Sequence, residues 1–117
     1  MRILPVIFFV LTPSYAGAGD YDGIYRPQGN WAQGWDCENI GMDGGAIAIR
    51  DGRLEGVESL CSLDNPTPVR GLQATLYDAE CAAEGDLYSY RIMIMRTANG
   101  IATVQLGGVV SHFEYCQ

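Results

Sequence analysis

One histidine, His112, limits the catalytic chemistry open to this chain. Any Ser-His-Asp relay or histidine-dependent metal site has to use it. Ser111 precedes it directly, and neighbouring residues of a strand point to opposite faces, so the pair is not placed to act as nucleophile and base. No Gly-x-Ser-x-Gly turn is present to expose a serine nucleophile. Oxidation of the four cysteines, Cys37, Cys61, Cys81 and Cys116, removes the thiolate alternative. Among carboxylates, Asp78 and Glu80 lie two apart and share a face of a strand, as do Glu84 and Asp86 if extended. A glycosidase needs two acids at a controlled separation across a cleft, and a solvated acidic edge is the plainer reading of these pairs. Oxygen-rich loops, Asp20-Tyr21-Asp22-Gly23 and Asp36-Cys37-Glu38 through Asp43-Gly44-Gly45, lack the spacing and closing glutamate of a calcium-binding EF-hand. With no Cys-x-x-Cys pair and no cysteine–histidine cluster, zinc is not expected either. We therefore expect no catalytic residue, no metal and no cofactor, and a protein that is not an enzyme.

The cysteines speak instead for architecture. Cys61 and Cys81 bracket two apolar-bearing arms around a Pro/Gly centre, which reads as a hairpin clipped by a disulfide. Four cysteines allow three pairings, and sequence alone does not choose among them. The hairpin reading favours Cys61–Cys81, leaving Cys37 and Cys116 to tie the first part of the domain to its last residues. Such reinforcement suits a small domain with a thin core in an oxidising compartment.

The N-terminal residues fit that compartment. Met1-Arg2 gives a positive start, Ile3–Leu11 is apolar, and Ala16-Gly17-Ala18 satisfies a small-x-small cleavage rule, so residues 1–18 are expected to be a secretory signal peptide and 19–117 a single domain. The run is shorter than the roughly 20 apolar residues of a transmembrane helix. No cysteine follows the cleavage point, and no membrane anchor is expected. The chain has 14 acidic side chains against 7 basic ones, a net charge of −7, and every basic residue is an arginine. That field disfavours nucleic acid and anionic lipid surfaces and suits a basic partner.

Strand signals fill the remainder. Tyr21–Pro27 reads as a first strand or extended lead-in. The Gly- and Asn-rich stretch 28–43 reads as an ordered loop with a short strand near Trp35, its tryptophans Trp31 and Trp35 acting as lids on the core. Residues 46–50 and 53–63 flank Asp51-Gly52, a strong hairpin signal, with Gly56 a bulge or bend. The central turn is placed at about 65–71, with Pro66 and Pro68 outside the pairing. The segment Leu72–Glu84 fits a strand, with Thr75, Tyr77, Ala79 and Cys81 on one face, or a helix through Leu72, Leu76, Ala79 and Ala83; the strand is preferred. Leu87–Arg96 is the clearest strand, apolar on both faces, followed by an Asn99-Gly100 turn, a strand over 101–106, a turn at Gly107-Gly108, and a last strand over 109–116. The sum is an all-β antiparallel meander of six or seven strands, closing into a barrel or folding into a sandwich, with two disulfides.

The spacing Trp31…Cys37, Glu58-Ser59-Leu60-Cys61, Cys81-Ala82-Ala83-Glu84-Gly85 and Tyr115-Cys116 resembles small exported β-proteins of alphaproteobacteria, which implies a periplasmic or secreted location and no known activity. The chain is also similar, more loosely, to the periplasmic inhibitors of lysozyme, small disulfide-bonded β-barrels whose inhibitory loop carries Ser-Gly-x-x-Tyr. Here Glu84-Gly85-Asp86-Leu87-Tyr88 keeps the glycine and tyrosine and has glutamate for the serine. The expected function is a non-catalytic exported binding module for an unknown protein or envelope component, with Glu84, Gly85 and Tyr88 in the candidate binding loop. The alternatives are a lysozyme-inhibitor-like protein using that loop and an envelope-associated structural protein.

Overall fold

A computed structural model describes residues 19–116; the expected signal peptide, 1–18, and Gln117 lie outside the described residues. Eight antiparallel strands close into a barrel in strict chain order. They are β1 (Gly23–Pro27), β2 (Ile47–Arg50), β3 (Arg53–Gly56), β4 (Ser59–Pro68), β5 (Ala74–Ala83), β6 (Asp86–Arg96), β7 (Gly100–Gln105) and β8 (Val109–Tyr115), with short 3-10 turns at Asn30–Ala32 and Leu106–Gly108. The barrel closes where β1 meets β8, with Tyr25 opposite Tyr115 and Pro27 opposite Phe113. Eight strands leave an interior just wide enough for side chains or one small ligand.

Alternation decides what fills that interior. Tyr25, Ile49, Leu54, Cys61, Ala79, Ile92, Ile94 and Ile101 point inward and form the buried core. Leu72–Glu84 is a strand rather than a helix over Ala74–Ala83, because Thr75, Ala79 and Cys81 on one face meet that core. Cys61 and Cys81 stand directly opposite one another on β4 and β5, with Cα atoms 4.0 Å apart, and their disulfide lies inside the barrel. Cys37–Cys116 joins the 28–46 loop to the end of β8 on the outside. Ala48, between inward-facing Ile47 and Ile49, is buried as well. Asp36 organises the loop: its carboxylate accepts hydrogen bonds from the backbone N–H groups of Glu38 and Asn39, at 2.8 and 3.0 Å. These bonds, joined by one from the Asn39 amide, hold Asp36 below the usual carboxylate range.

Several boundaries differ from the expectation, each for a local reason. There are eight strands, not six or seven, because 53–63 is two strands turned at Val57-Glu58. Neither turn residue is Gly, Asn or Pro; Glu58 itself takes a left-handed φ of 52°. No strand forms near Trp35, where the chain makes a 3-10 turn instead. The prolines lie within β4. The register shifts between Asp64 and Thr67, so Pro66 falls in a bulge, while Pro68 pairs with Thr75. The Val69 N–H bonds the Ala74 carbonyl at 2.9 Å; the adjacent Pro68 nitrogen therefore faces away from β5 and removes nothing from the ladder. Gly100 begins β7 rather than turning the chain. A Cβ there would meet the carbonyl of Phe113, so the approach of β7 to β8 at this position needs glycine.

Candidate functional site

The two ends of the barrel are built differently. One end is closed by tyrosines delivered from four places: Tyr21 before β1, Tyr25 on β1, Tyr77 on β5 and Tyr115 on β8. The Tyr25 and Tyr115 rings stack at 4.9 Å, and Tyr77 meets Tyr21 edge-on at 6.4 Å. The Tyr21 hydroxyl and Thr75 Oγ1 are hydrogen-bonded at 3.0 Å, and the Tyr25 hydroxyl donates to the Tyr21 carbonyl. Arg96, at the end of β6, lies over the Tyr21 ring and donates to the Tyr115 hydroxyl at 3.0 Å and to the Asp20 carbonyl. Burial, aided by the neighbouring Tyr115 hydroxyl, raises the Tyr25 phenol well above its ordinary value.

The other end is open, and the stagger of the strands opens it. β7 pairs with β6 only from Ile92 onward, Ile92 lying opposite Gln105, so Asp86–Arg91 runs on past the end of β7. A cavity of about 350 Å³ sits in this mouth. Its deeper wall is Ile47, Leu54, Cys61, Ile92 and Thr103, all inward residues of the barrel; its rim is Pro27, Trp35, Val57, Ser59, Tyr88, Tyr90, Gln105 and Phe113. Tyr88 and Tyr90, two apart on β6, stack at 6.0 Å. Burial, with Tyr88 beside it, pushes the Tyr90 phenol up. Val109, opposite Gln105 at the lip, is 57% exposed. On the outer shoulder of the same hairpin, Leu60, Ala82 and Leu87 are neighbours across three strands, with Leu87 84% exposed.

Glu84 and Gly85 form the two-residue tip of the β5–β6 hairpin, both with positive φ, the backbone of a type I′ turn. Tyr88 is brought to the pocket; Glu84 and Gly85 are not among its lining residues. His112 is exposed on the outer face of β8, while Ser111 pairs with inward-facing Thr103. Asp78 lies on the outer wall, accepting from the Asn65 amide at 2.8 Å and from Arg91 at 3.1 Å. The Asn65 amide, with the Arg91 charge beside it, holds Asp78 below the usual carboxylate range. Among the described residues, no three His, Cys, Asp or Glu side chains converge as a metal site.

Trp31 is not a lid on the core: it is 72% exposed and meets Trp35 edge-on at 6.1 Å. Trp35 belongs to the pocket rim. Sequence reasoning passed over Gln105, Thr103, Phe113 and Val57. Alternation along 101–105 and 109–115 places the first three on inner faces, but nothing in the sequence says which end of the barrel stays open.

Two disulfides, with no free cysteine among the described residues, belong to an oxidising, extracytoplasmic environment. Among those residues no helix is long and apolar enough to cross a membrane. No protein-family model, curated protein or solved structure matches this chain.

Proposed function

We propose that this chain is an exported, non-catalytic binding module and that it binds at the open end of the barrel. The observation that carries the reading is the uncovered apolar surface there: Val57, Tyr88 and Val109 around the mouth, and Leu60 and Leu87 on its shoulder, are all exposed. Folding gains nothing from leaving these side chains in water, and contiguous apolar surface around a pocket marks interaction sites. At the opposite end the tyrosine rings pack on one another and the Tyr21, Tyr25 and Tyr115 hydroxyls are hydrogen-bonded, with Leu72 exposed beside them. The partner is a protein or an envelope component, and the −7 charge favours a basic one.

The test is native mass spectrometry of the protein recovered gently from its own host, beside the double variant Leu87→Lys, Val109→Lys. The intact mass also reports signal cleavage and oxidised thiols. The reading expects a second species on the wild type that is lost from a folded variant. The same species retained by the variant would place binding elsewhere, and consumption of a substrate by the wild type would overturn the non-catalytic assignment.

A second reading has one observation in its favour. The glycine and tyrosine shared with the inhibitory loop of periplasmic lysozyme inhibitors fall on an exposed hairpin tip and its adjoining rim, where a partner can reach them. It expects stoichiometric inhibition of a lysozyme that Tyr88→Ala abolishes. Full lysozyme activity at a large molar excess would sink it.

A further inference from the structure

Building on the mouth as the binding site, we propose that its pocket takes a small, uncharged, largely apolar ligand carrying one hydrogen-bonding group. Three observations converge on that class. First, none of the described residues lining the pocket carries a charge. A carboxylate, sulfonate or phosphate would therefore be desolvated without a partner, inside a chain of net charge −7. Anionic ligands are excluded by both terms. An ammonium group has no carboxylate waiting for it either.

Second, the apolar lining is large and rigid. Trp35, Tyr88, Tyr90 and Phe113 present aromatic surface from three separate stretches of chain, and Leu54 and Ile92 close the deeper wall. Rings bury much area while freezing few torsions, which favours a flat or compact guest. The cavity of about 350 Å³ lies at the small end of ligand pockets. Third, the polar groups present are neutral: the phenols of Tyr88 and Tyr90, Ser59 near the rim, Gln105 at the lip and the well-buried Thr103 deeper in. A hydroxyl and an amide can each donate or accept, so they suit an alcohol, phenol, arylamine or carbonyl on an otherwise apolar molecule.

A matched pair of dyes tests this. N-phenyl-1-naphthylamine is an uncharged arene with one N–H; 1-anilinonaphthalene-8-sulfonate is the same arene with a sulfonate. Each is titrated into the disulfide-bonded protein, reading dye emission and energy transfer from tryptophan, since Trp35 lies on the rim. The proposal expects one-to-one saturable binding of the neutral dye and at least ten-fold weaker binding of the sulfonate. It also expects loss of the neutral dye on Gln105→Trp, which fills the mouth, with Tyr88→Ala as a second variant should the first fail to fold.

Equal or tighter binding of the sulfonate would overturn the uncharged-ligand assignment and leave the mouth standing as the site. Unaltered binding of the neutral dye to folded pocket variants would remove both. Failure of both dyes to bind would overturn the small-ligand assignment; the mouth as a surface for a protein or envelope partner would then stand or fall by the Leu87→Lys, Val109→Lys comparison.

Discussion

The two ends of this barrel use the same residue type to opposite effect. At the closed end, tyrosines are stacked, hydrogen-bonded and bridged by Arg96. At the open end, Tyr88 and Tyr90 stack on each other but leave Tyr88 in contact with solvent. β6 runs through both, ending in Arg96 at one and rising past β7, paired there with β5 alone, at the other. The difference is not composition but stagger: where neighbouring strands end together the aromatic side chains find one another, and where one strand outruns its neighbour they face an opening. One end should therefore govern stability and the other binding.

The largest stability effect is expected from Tyr25→Ala. It removes a fully buried ring and its stack on Tyr115, which should cost about 4 kcal/mol by urea denaturation, the magnitude of other buried aromatic truncations. Opening the closed-end disulfide in a Cys37→Ser, Cys116→Ser protein should cost about 3 kcal/mol, since it frees a loop spanning 79 residues in the unfolded chain.

Alkali should act on the closed end next. The Tyr25 phenol is raised in the folded state by burial. The neutral form is thus favoured on folding, and this contribution is fully present below the unfolded tyrosine value of about 10 and falls away as pH climbs past it. The urea midpoint of the wild type should drop between about pH 8 and about pH 11, and Tyr25→Phe should drop less. Equal loss in both proteins would assign the alkaline sensitivity elsewhere, Tyr77 and Tyr90 being the other phenols raised by burial.

The smallest stability effect belongs to the open end. Leu87→Lys with Val109→Lys should change stability by no more than about 0.5 kcal/mol, because both side chains are already in water, while binding at the mouth is lost. A large destabilisation by these changes would remove the division of labour between the two ends.

Much of the architecture was legible because it depends on local alternation. Thr75, Tyr77, Ala79 and Cys81 share a face only if Leu72–Glu84 is extended, and that placement also sets Cys61 against Cys81 and leaves Cys37 for Cys116. What escaped depends on single backbone angles or on closure. The Val57-Glu58 turn carries no turn-forming residue, and Glu58 accepts a left-handed conformation that glycine normally takes. Pro68 is tolerated within β4 because its nitrogen faces away from β5, a matter of hydrogen-bond phase that spacing does not display. The binding surface was half legible: Tyr88 was reached through the Glu84–Tyr88 loop, but Trp35, Gln105 and Phe113 join it only once β8 has closed on β1.

The most direct test of the central claim is a two-dimensional NMR titration of the disulfide-bonded protein with N-phenyl-1-naphthylamine. Movement of the Trp35 indole N–H and the Gln105 side-chain amide, with the Tyr21 amide and the Arg96 guanidinium unmoved, is the result expected of a mouth that binds and an end that only closes. Movement of the Tyr21 and Arg96 signals with Trp35 and Gln105 silent would contradict it.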